Sequence, residues 1–459
     1  MFPPRSPAEG SPREAPLERA FALAAGHRTR EALGWALAAL RDEPASAGAL
    51  FATGYLLAHE GHGAEARPVL DACSGRALDV SDLPLAVAAC LARRALGDDV
   101  SSRLDVVARA FGADSTRLLP GLTHRPPPLP PTGPERPAGP APAWQGGALA
   151  PEARRVIDRA CLAFRAAEHD RGQPWPLAPQ PLFSALPAAA LRRLLGAFRV
   201  RLVAPGETVI RQGEAGEEVF IVARGDLEVS RRGPGPAGAA PVQLARLGAG
   251  SLVGEMALIA RAPRVARVVA RRPGVLLAAR RSELAREDAL GPEVGRALGQ
   301  HARQRMVHNL VRLSPVLLAV PEGEREALIE RFETRLFAPD ELLTVEGEQP
   351  PGLHLIASGS VSVQRVEGPG ERLVLAHLGV GDSVGEVALV LRRRATANVV
   401  ALERTVTMFL PRASFRQLLD EYPPILVELY RLAVRREEAT ASAVAREVVP
   451  LGTGEYTSA

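Results

Sequence analysis

From about Leu17 to Phe111 apolar residues recur every three or four positions, which predicts several amphipathic helices broken at Gly26, Pro44, Gly61, Gly75 and Gly97. Within this stretch Gly54 and Tyr55 fall on one helix and Ala64, Ala66 and Leu70 on the next, with a Gly61-His62-Gly63 turn between them. After Pro120 the periodicity stops. Residues 120–150 are Pro-rich, and Arg125 to Pro131 favour polyproline II, so a linker is predicted. The helical period returns from Glu152 to His169, with Val156, Ala160, Ala163 and Ala167 on one side and Ile157 and Phe164 close by; this helix is expected to pack against the segment that follows. From Pro181 onward short β-branched runs lie between glycine turns: Glu218 to Val222, Leu227 to Ser230, Leu353 to Ile356 and Val361 to Val363. That rhythm predicts an antiparallel sheet fold.

The β-rich part is a repeat. Pro187 recurs as Pro321, Ala204-Pro205-Gly206-Glu207 as Ala338-Pro339-Asp340-Glu341, Gly213-Glu214 as Gly347-Glu348, and Gly225 as Gly359, each pair 134 residues apart. Two β units of similar build are therefore expected in tandem.

The stretch from Ser251 to Val268, SLVGEMALIARAPRVARV, carries the candidate chemistry. Gly254 lets the backbone approach a ligand, and Glu255 to Ile259 can form a helical turn whose free N–H groups favour an anion. Arg264, behind Pro263, can close on a phosphate with two parallel hydrogen bonds, and Glu255, an acceptor only, suits a sugar hydroxyl. A ribose acceptor beside a phosphate cation describes a site for a cyclic nucleotide.

This stretch resembles the phosphate-binding cassette of the cyclic-nucleotide-binding domain family, the β-roll of the catabolite activator protein and protein kinase A regulatory subunit type. The resemblance rests on Gly254, Glu255, Met256, Ala257, Leu258, Pro263, Arg264, Val265 and Ala266, with Val253 where the family usually has Phe. It implies that Glu255 holds the ribose, that Arg264 holds the phosphate, and that the N–H groups of Glu255 to Ala257 and of Val265 and Ala266 complete the cradle. It also implies a lead helical segment for each roll (Phe183 to Phe198, Val316 to Phe332) and closing helices (Ser282 to Leu310, Ser414 to about Glu447). Val265 offers no hydroxyl to a guanine edge, which favours cyclic AMP over cyclic GMP; Met306 and His301 are candidates to cap the base. The helical hairpin of residues 50–78 resembles a tetratricopeptide unit.

The second cassette reads SVGEVALVLRRRATANV, with Gly385, Glu386, Val387 and Ala388 in place. Nine residues beyond Glu386 stands Ala395, followed by Thr396, and Arg394 comes one residue early. One step along a strand reverses the face. The second roll is therefore expected to bind weakly or not at all, unless the loop slips to bring Arg394 inward.

Composition narrows the function further. The chain has 459 residues and a formal net charge of +4, with no lysine, so its 56 basic residues are all arginine and nearly match the 52 acidic ones. No basic block points to nucleic acid. The three cysteines lack paired spacing and the nine histidines form no ligand cluster, so neither a disulfide framework nor a metal is expected. No nucleophile elbow, phosphate-gripping loop, kinase or cyclase signature appears, and no cofactor is implied. No signal peptide or membrane span is apparent, and no DNA-binding unit is expected after the second roll, so a cytoplasmic, non-enzymatic protein is predicted.

The fold expected is α+β and multidomain: 1–15 disordered, 16–119 helical and tetratricopeptide-like, 120–150 linker, 151–180 a linking helix, 181–311 and 312–447 two β-rolls, and 448–459 a tail. The function expected is that of a cyclic-nucleotide sensor which binds mainly in the first roll and relays occupancy to a protein partner through the helical domain. The alternatives are a scaffold with rolls that bind nothing and a regulatory subunit acting in trans on a kinase or another enzyme.

Overall fold

The computed structural model describes residues 16–122, 139–145, 148–169, 176–180, 182–231, 241–254, 264–284, 291–368 and 371–448. Six helices open the chain: α1 (Pro16–Ala25), α2 (Thr29–Asp42), α3 (Ala47–His59), α4 (Gly63–Asp79), α5 (Leu83–Ala95) and α6 (Ser101–Phe111). Each packs on the next, and α3 also reaches α1 and α5, so the six form a layered array of hairpins. Small residues set the spacing. A Cβ at Gly54 of α3 would lie 2.8 Å from Leu70 Cγ of α4. Gly75 does not break a helix as its residue type predicts: it lies inside α4, where a Cβ would come within 2.3 Å of the Phe164 ring.

Phe164 belongs to α7 (Pro151–His169), which packs on α2 and α4 of the helical array, where the sequence reading expected it to cover the first roll. Its buried face is Ala153, Val156, Ile157, Ala160 and Cys161; Ala163 is exposed. Part of the predicted linker is likewise packed. Strands β1 (Trp144–Gln145) and β2 (Ala148–Leu149) pair, Ala141 and Ala143 are buried, and the Ala141 N–H donates to Gly34 O at 2.9 Å. The polyproline run of residues 125–131 and residues 1–15 lie outside the described residues.

After α8 (Ala188–Gly196) the first roll is built from β3 (Arg199–Val203), β4 (Thr208–Ile210), β5 (Glu218–Arg224), β6 (Leu227–Arg231), β7 (Val242–Leu247), β8 (Leu252–Val253), β9 (Arg267–Ala270) and β10 (Gly274–Arg280). They form two antiparallel four-stranded sheets, β3-β10-β5-β8 and β4-β9-β6-β7. Helices α9 (Arg281–Leu284) and α10 (Pro292–Leu313) follow, then α11 (Pro315–Leu318) and α12 (Arg325–Ile329).

The second roll repeats the plan with β11 (Glu333–Phe337), β12 (Leu342–Thr344), β13 (Gly352–Ser358), β14 (Ser360–Gly368), β15 (Glu371–Gly379), β16 (Ser383–Val384), β17 (Asn398–Ala401) and β18 (Thr405–Pro411). Its sheets are β11-β18-β13-β16 and β12-β17-β14-β15, the same order as in the first roll. A short α13 (Glu386–Val390) sits between β16 and β17, and α14 (Arg412–Glu421) and α15 (Pro423–Val448) close the fold. The repeat extends to backbone conformation. Gly206 has φ +81° and its counterpart Asp340 has φ +67°, so one copy makes this turn without glycine.

Strand alternation divides the core. On β5, Phe220 and Val222 face the inside of the first roll, whereas Val219, Ile221 and Ala223 join one continuous core with the N-terminal helices; on β10, Leu276 and Ala278 face inward while Val275, Leu277 and Ala279 face out to that core. The helical array is thus fused to the first roll. The corresponding outer face of the second roll, Leu353, Leu355 and Ala357 of β13 with Val406, Met408 and Leu410 of β18, is covered by α10, α11, α12, α14 and α15. Helix α10 belongs to both bodies, with Val294, Ala297 and Leu298 in the first core and Met306, Leu310 and Val311 in the second.

Polar ties reinforce the first junction. Arg94 of α5 donates to Gly196 O and Phe198 O, both at 2.6 Å, and Arg224 of β5 pairs with Glu18 of α1 at 3.0 Å. Asp82, also buried there, caps α5 by accepting from the Leu85 N–H at 3.1 Å. Burial pushes its carboxyl up to about 7, against the pull of the Leu85 N–H and Arg224.

Candidate ligand sites of the two rolls

In the first roll β8 delivers Val253 and Gly254, and the chain leading into β9 delivers Arg264, Val265 and Ala266. Glu255, Met256 and Ala257 lie outside the described residues. Arg264 is 8% exposed. Its Nη1 donates to Gly254 O at 2.8 Å and its Nη2 donates to Glu218 O. Gly254 has φ +91°, and a Cβ there would lie 2.5 Å from Arg264 Nη1, so glycine is needed both for the turn and for room beside the guanidinium. The expected proximity of Gly254 and Arg264 is therefore present. Neither candidate base cap is a contact of this site among the described interactions: Met306 is packed in the core of the second roll, and His301 is half-buried on α10, its imidazole held below its usual range by burial and by Arg305.

The second roll is described throughout its cassette. Gly385 has φ +92° and starts α13, and Glu386, Val387 and Ala388 line a cavity of about 640 Å³ together with Ala395 and Thr396. Backbone hydrogen bonds fix the register. In the first roll the Arg264 N–H donates to Glu214 O at 2.9 Å and the Gly213 N–H donates to Arg264 O at 2.8 Å; in the second the Ala395 N–H donates to Glu348 O and the Gly347 N–H donates to Ala395 O, both at 2.8 Å. Since Gly213-Glu214 and Gly347-Glu348 are repeat partners, Ala395 occupies the position of Arg264. Arg394 is turned away from the cavity, with Nη1 donating to Gly347 O at 2.8 Å. The loop does not slip to recover it.

Arg436, Arg393 and Thr344 also line the second cavity, and cassette spacing gave no sign of them. Arg436 stands on α15, 50 residues beyond Glu386; its Nη1 pairs with Glu386 Oε1 and donates to Ser383 O at 2.7 Å. Arg393 pairs with Glu437 of the same helix. Sequence neighbours cannot announce such pairs, because only the fold brings α15 over the cavity.

Both rolls match the family model described as "Cyclic nucleotide-binding domain", over residues 200–287 and 334–422. With the paired sheets and cassettes, this defines the class: the chain carries two cyclic nucleotide-binding domains in tandem. It is homologous to cAMP-dependent protein kinase regulatory subunits. It is 31% identical over 248 residues to that of Yarrowia lipolytica, covering 54% of this chain and 60% of the relative, and 28% identical over 261 residues to the type II regulatory subunit of Drosophila melanogaster, covering 54% and 65%. The chain thus spans less than two thirds of the length of these relatives. Among solved structures, the regulatory domain of Toxoplasma gondii PKA with cAMP is 25% identical, covering 55% of this chain and 92% of that one, with a TM-score of 0.27. No described helix is long and apolar enough to cross a membrane, and no group of three or more His, Cys, Asp or Glu among the described residues is placed to hold a metal.

Proposed function

We propose that the protein is a non-enzymatic cyclic-nucleotide sensor in which the first roll is the regulatory site. The observation that carries this reading is Arg264: a buried guanidinium next to the Gly254 backbone, at the position where the second roll has alanine. Within this reading Arg264 holds the cyclic phosphate, Glu255 takes the ribose, and the N–H groups of Glu255 to Ala257, Val265 and Ala266 complete the cradle. The ligand favoured is cyclic AMP. Occupancy is passed along α10, which has one half in each core.

The similarity to regulatory subunits of cAMP-dependent protein kinases favours one further reading, that this sensor acts on a kinase in trans. Arg154 and Arg155 lie exposed on α7, with Ile157 beside them buried. The partner surface is sought on the helical array.

Thermal shift of the full chain with cyclic AMP, cyclic GMP and AMP tests the sensor. At ligand a hundredfold above Kd the gain is about 2.7 kcal/mol, and Arg264→Ala removes it. No shift with either cyclic nucleotide, or an unchanged shift in Arg264→Ala, overturns the reading in favour of a scaffold.

A further inference from the structure

We propose that the cavity of the second roll is a binding site for an uncharged, hydroxyl-bearing ligand with an apolar body, a nucleoside in chemical class, and that it discriminates against cyclic phosphates. Three observations converge on this. The first is an unmet acceptor. Glu386 is 1% exposed, and while its Oε1 is taken by Arg436, its Oε2 has no hydrogen-bond partner among the described residues. A carboxylate oxygen can only accept, and leaving it buried and unpaired is unfavourable, so a hydroxyl donor from a ligand in the cavity it lines satisfies it.

The second observation is the shape and character of the space. At about 640 Å³ it is large enough for a base and a sugar, and Val363, Val384, Ala388, Ala395 and Val399 give it apolar walls.

The third is charge. The site that holds a guanidinium in the first roll holds a methyl group here, and Arg394 is directed to Gly347 O. Of the three arginines lining the cavity, Arg436 is matched by Glu386 and Arg393 by Glu437, while Arg365 is exposed. A cyclic phosphate entering this site would face the unpaired Oε2 of Glu386 without the buried cation that offsets it in the first roll. A neutral ribose meets no such penalty.

The arrangement also explains how the site can be reversed. Gly385 is retained with φ +92°, and Gly352 O, the repeat partner of Glu218 O, lies 2.8 Å from where a Gly385 Cβ would stand. The two carbonyl oxygens that receive Arg264 in the first roll thus have counterparts in Gly385 and Gly352, so Ala395→Arg provides the missing cation with its acceptors already in place.

The test is calorimetry on the full-length protein carrying Glu255→Ala and Arg264→Ala, which removes both the ribose acceptor and the phosphate cation proposed for the first roll and makes the result independent of what that roll binds. The probes are adenosine, guanosine and cyclic AMP. At least one nucleoside is expected to bind with one-to-one stoichiometry and at least about tenfold more tightly than cyclic AMP. Glu386→Ala is expected to abolish this binding. Ala395→Arg, which adds a side chain without removing a buried one, is expected to raise cyclic AMP affinity by roughly 30-fold or more, the range for gaining one partner of a buried charge pair. The proposal is overturned if neither nucleoside binds at about 1 mM, if cyclic AMP binds more tightly than both nucleosides before Ala395→Arg is introduced, or if nucleoside binding persists in a folded Glu386→Ala protein.

Discussion

Two buried titratable groups give the protein opposing responses to pH. Asp82 has a folded value of about 7 against an ordinary 3.8, raised by burial, so between those values the folded chain keeps a proton that the unfolded chain has released. Its contribution to stability is full below about pH 4 and is lost as pH rises to 7. His354 runs the other way. It is packed against Phe337 and Phe409, with Nδ1 3.0 Å from Thr407 Oγ1, and burial followed by Arg335 lowers it to about 4. Its contribution is full above the ordinary 6.5 and is lost as pH falls through about 4. Asp82→Asn keeps a capping oxygen for α5 and is expected to remove the loss of stability between about pH 5 and 7. His354→Phe is expected to remove the loss between about pH 6 and 4. Denaturant melts of each variant across that range check both slopes. At the first ligand site, Gly254→Ala is expected to abolish the cyclic AMP response as fully as Arg264→Ala, because the new Cβ would lie 2.5 Å from Arg264 Nη1 on a backbone at φ +91°; thermal shift with ligand reads this directly.

Among the elements, α10 has the most to connect, since it contributes apolar side chains to two separate cores. Ala302, fully buried midway along it, is the place to interrupt that link. Ala302→Pro costs about 3 kcal/mol in helix terms alone and is expected to split one calorimetric unfolding transition into two. The elements also show how far residue order could be read. The second cassette and the tandem repeat were legible because they are residue types at fixed spacing, and the alanine that stands where the first roll has Arg264 followed from counting to Ala395. The docking of α7 was not legible: apolar periodicity says that one face of a helix is buried, not what buries it. Gly75 was misread for a similar reason, since glycine marks a break or a close approach equally well, and only the Phe164 ring decides between them. The fusion of helices and first roll did leave a trace. Val219 to Ala223 and Val275 to Ala279 are unbroken apolar runs, the pattern of strands covered on both faces, where a strand with one wet face alternates.

For the molecule as a whole, the Glu18–Arg224 pair lies at the junction between the helical array and the first roll, with Asp82 near it. Arg224→Met strands a buried carboxylate and is expected to cost about 3–5 kcal/mol, whereas Arg224→Met with Glu18→Gln is expected to recover much of that loss. Chemical denaturation of the two variants beside the parent gives the comparison. The rolls are alike in strand order and turn geometry, yet they are not equivalent in what surrounds them: the second is covered by helices that adjoin it in sequence, the first in large part by helices that come far earlier in the chain. A fragment beginning after Leu177 would therefore present Val219, Ile221, Ala223, Val275, Leu277 and Ala279 to water as a sticky sheet. Swapping the two repeats, or grafting the first into another protein, would carry the same liability, so the leading helices travel with that roll as an obligatory internal chaperone.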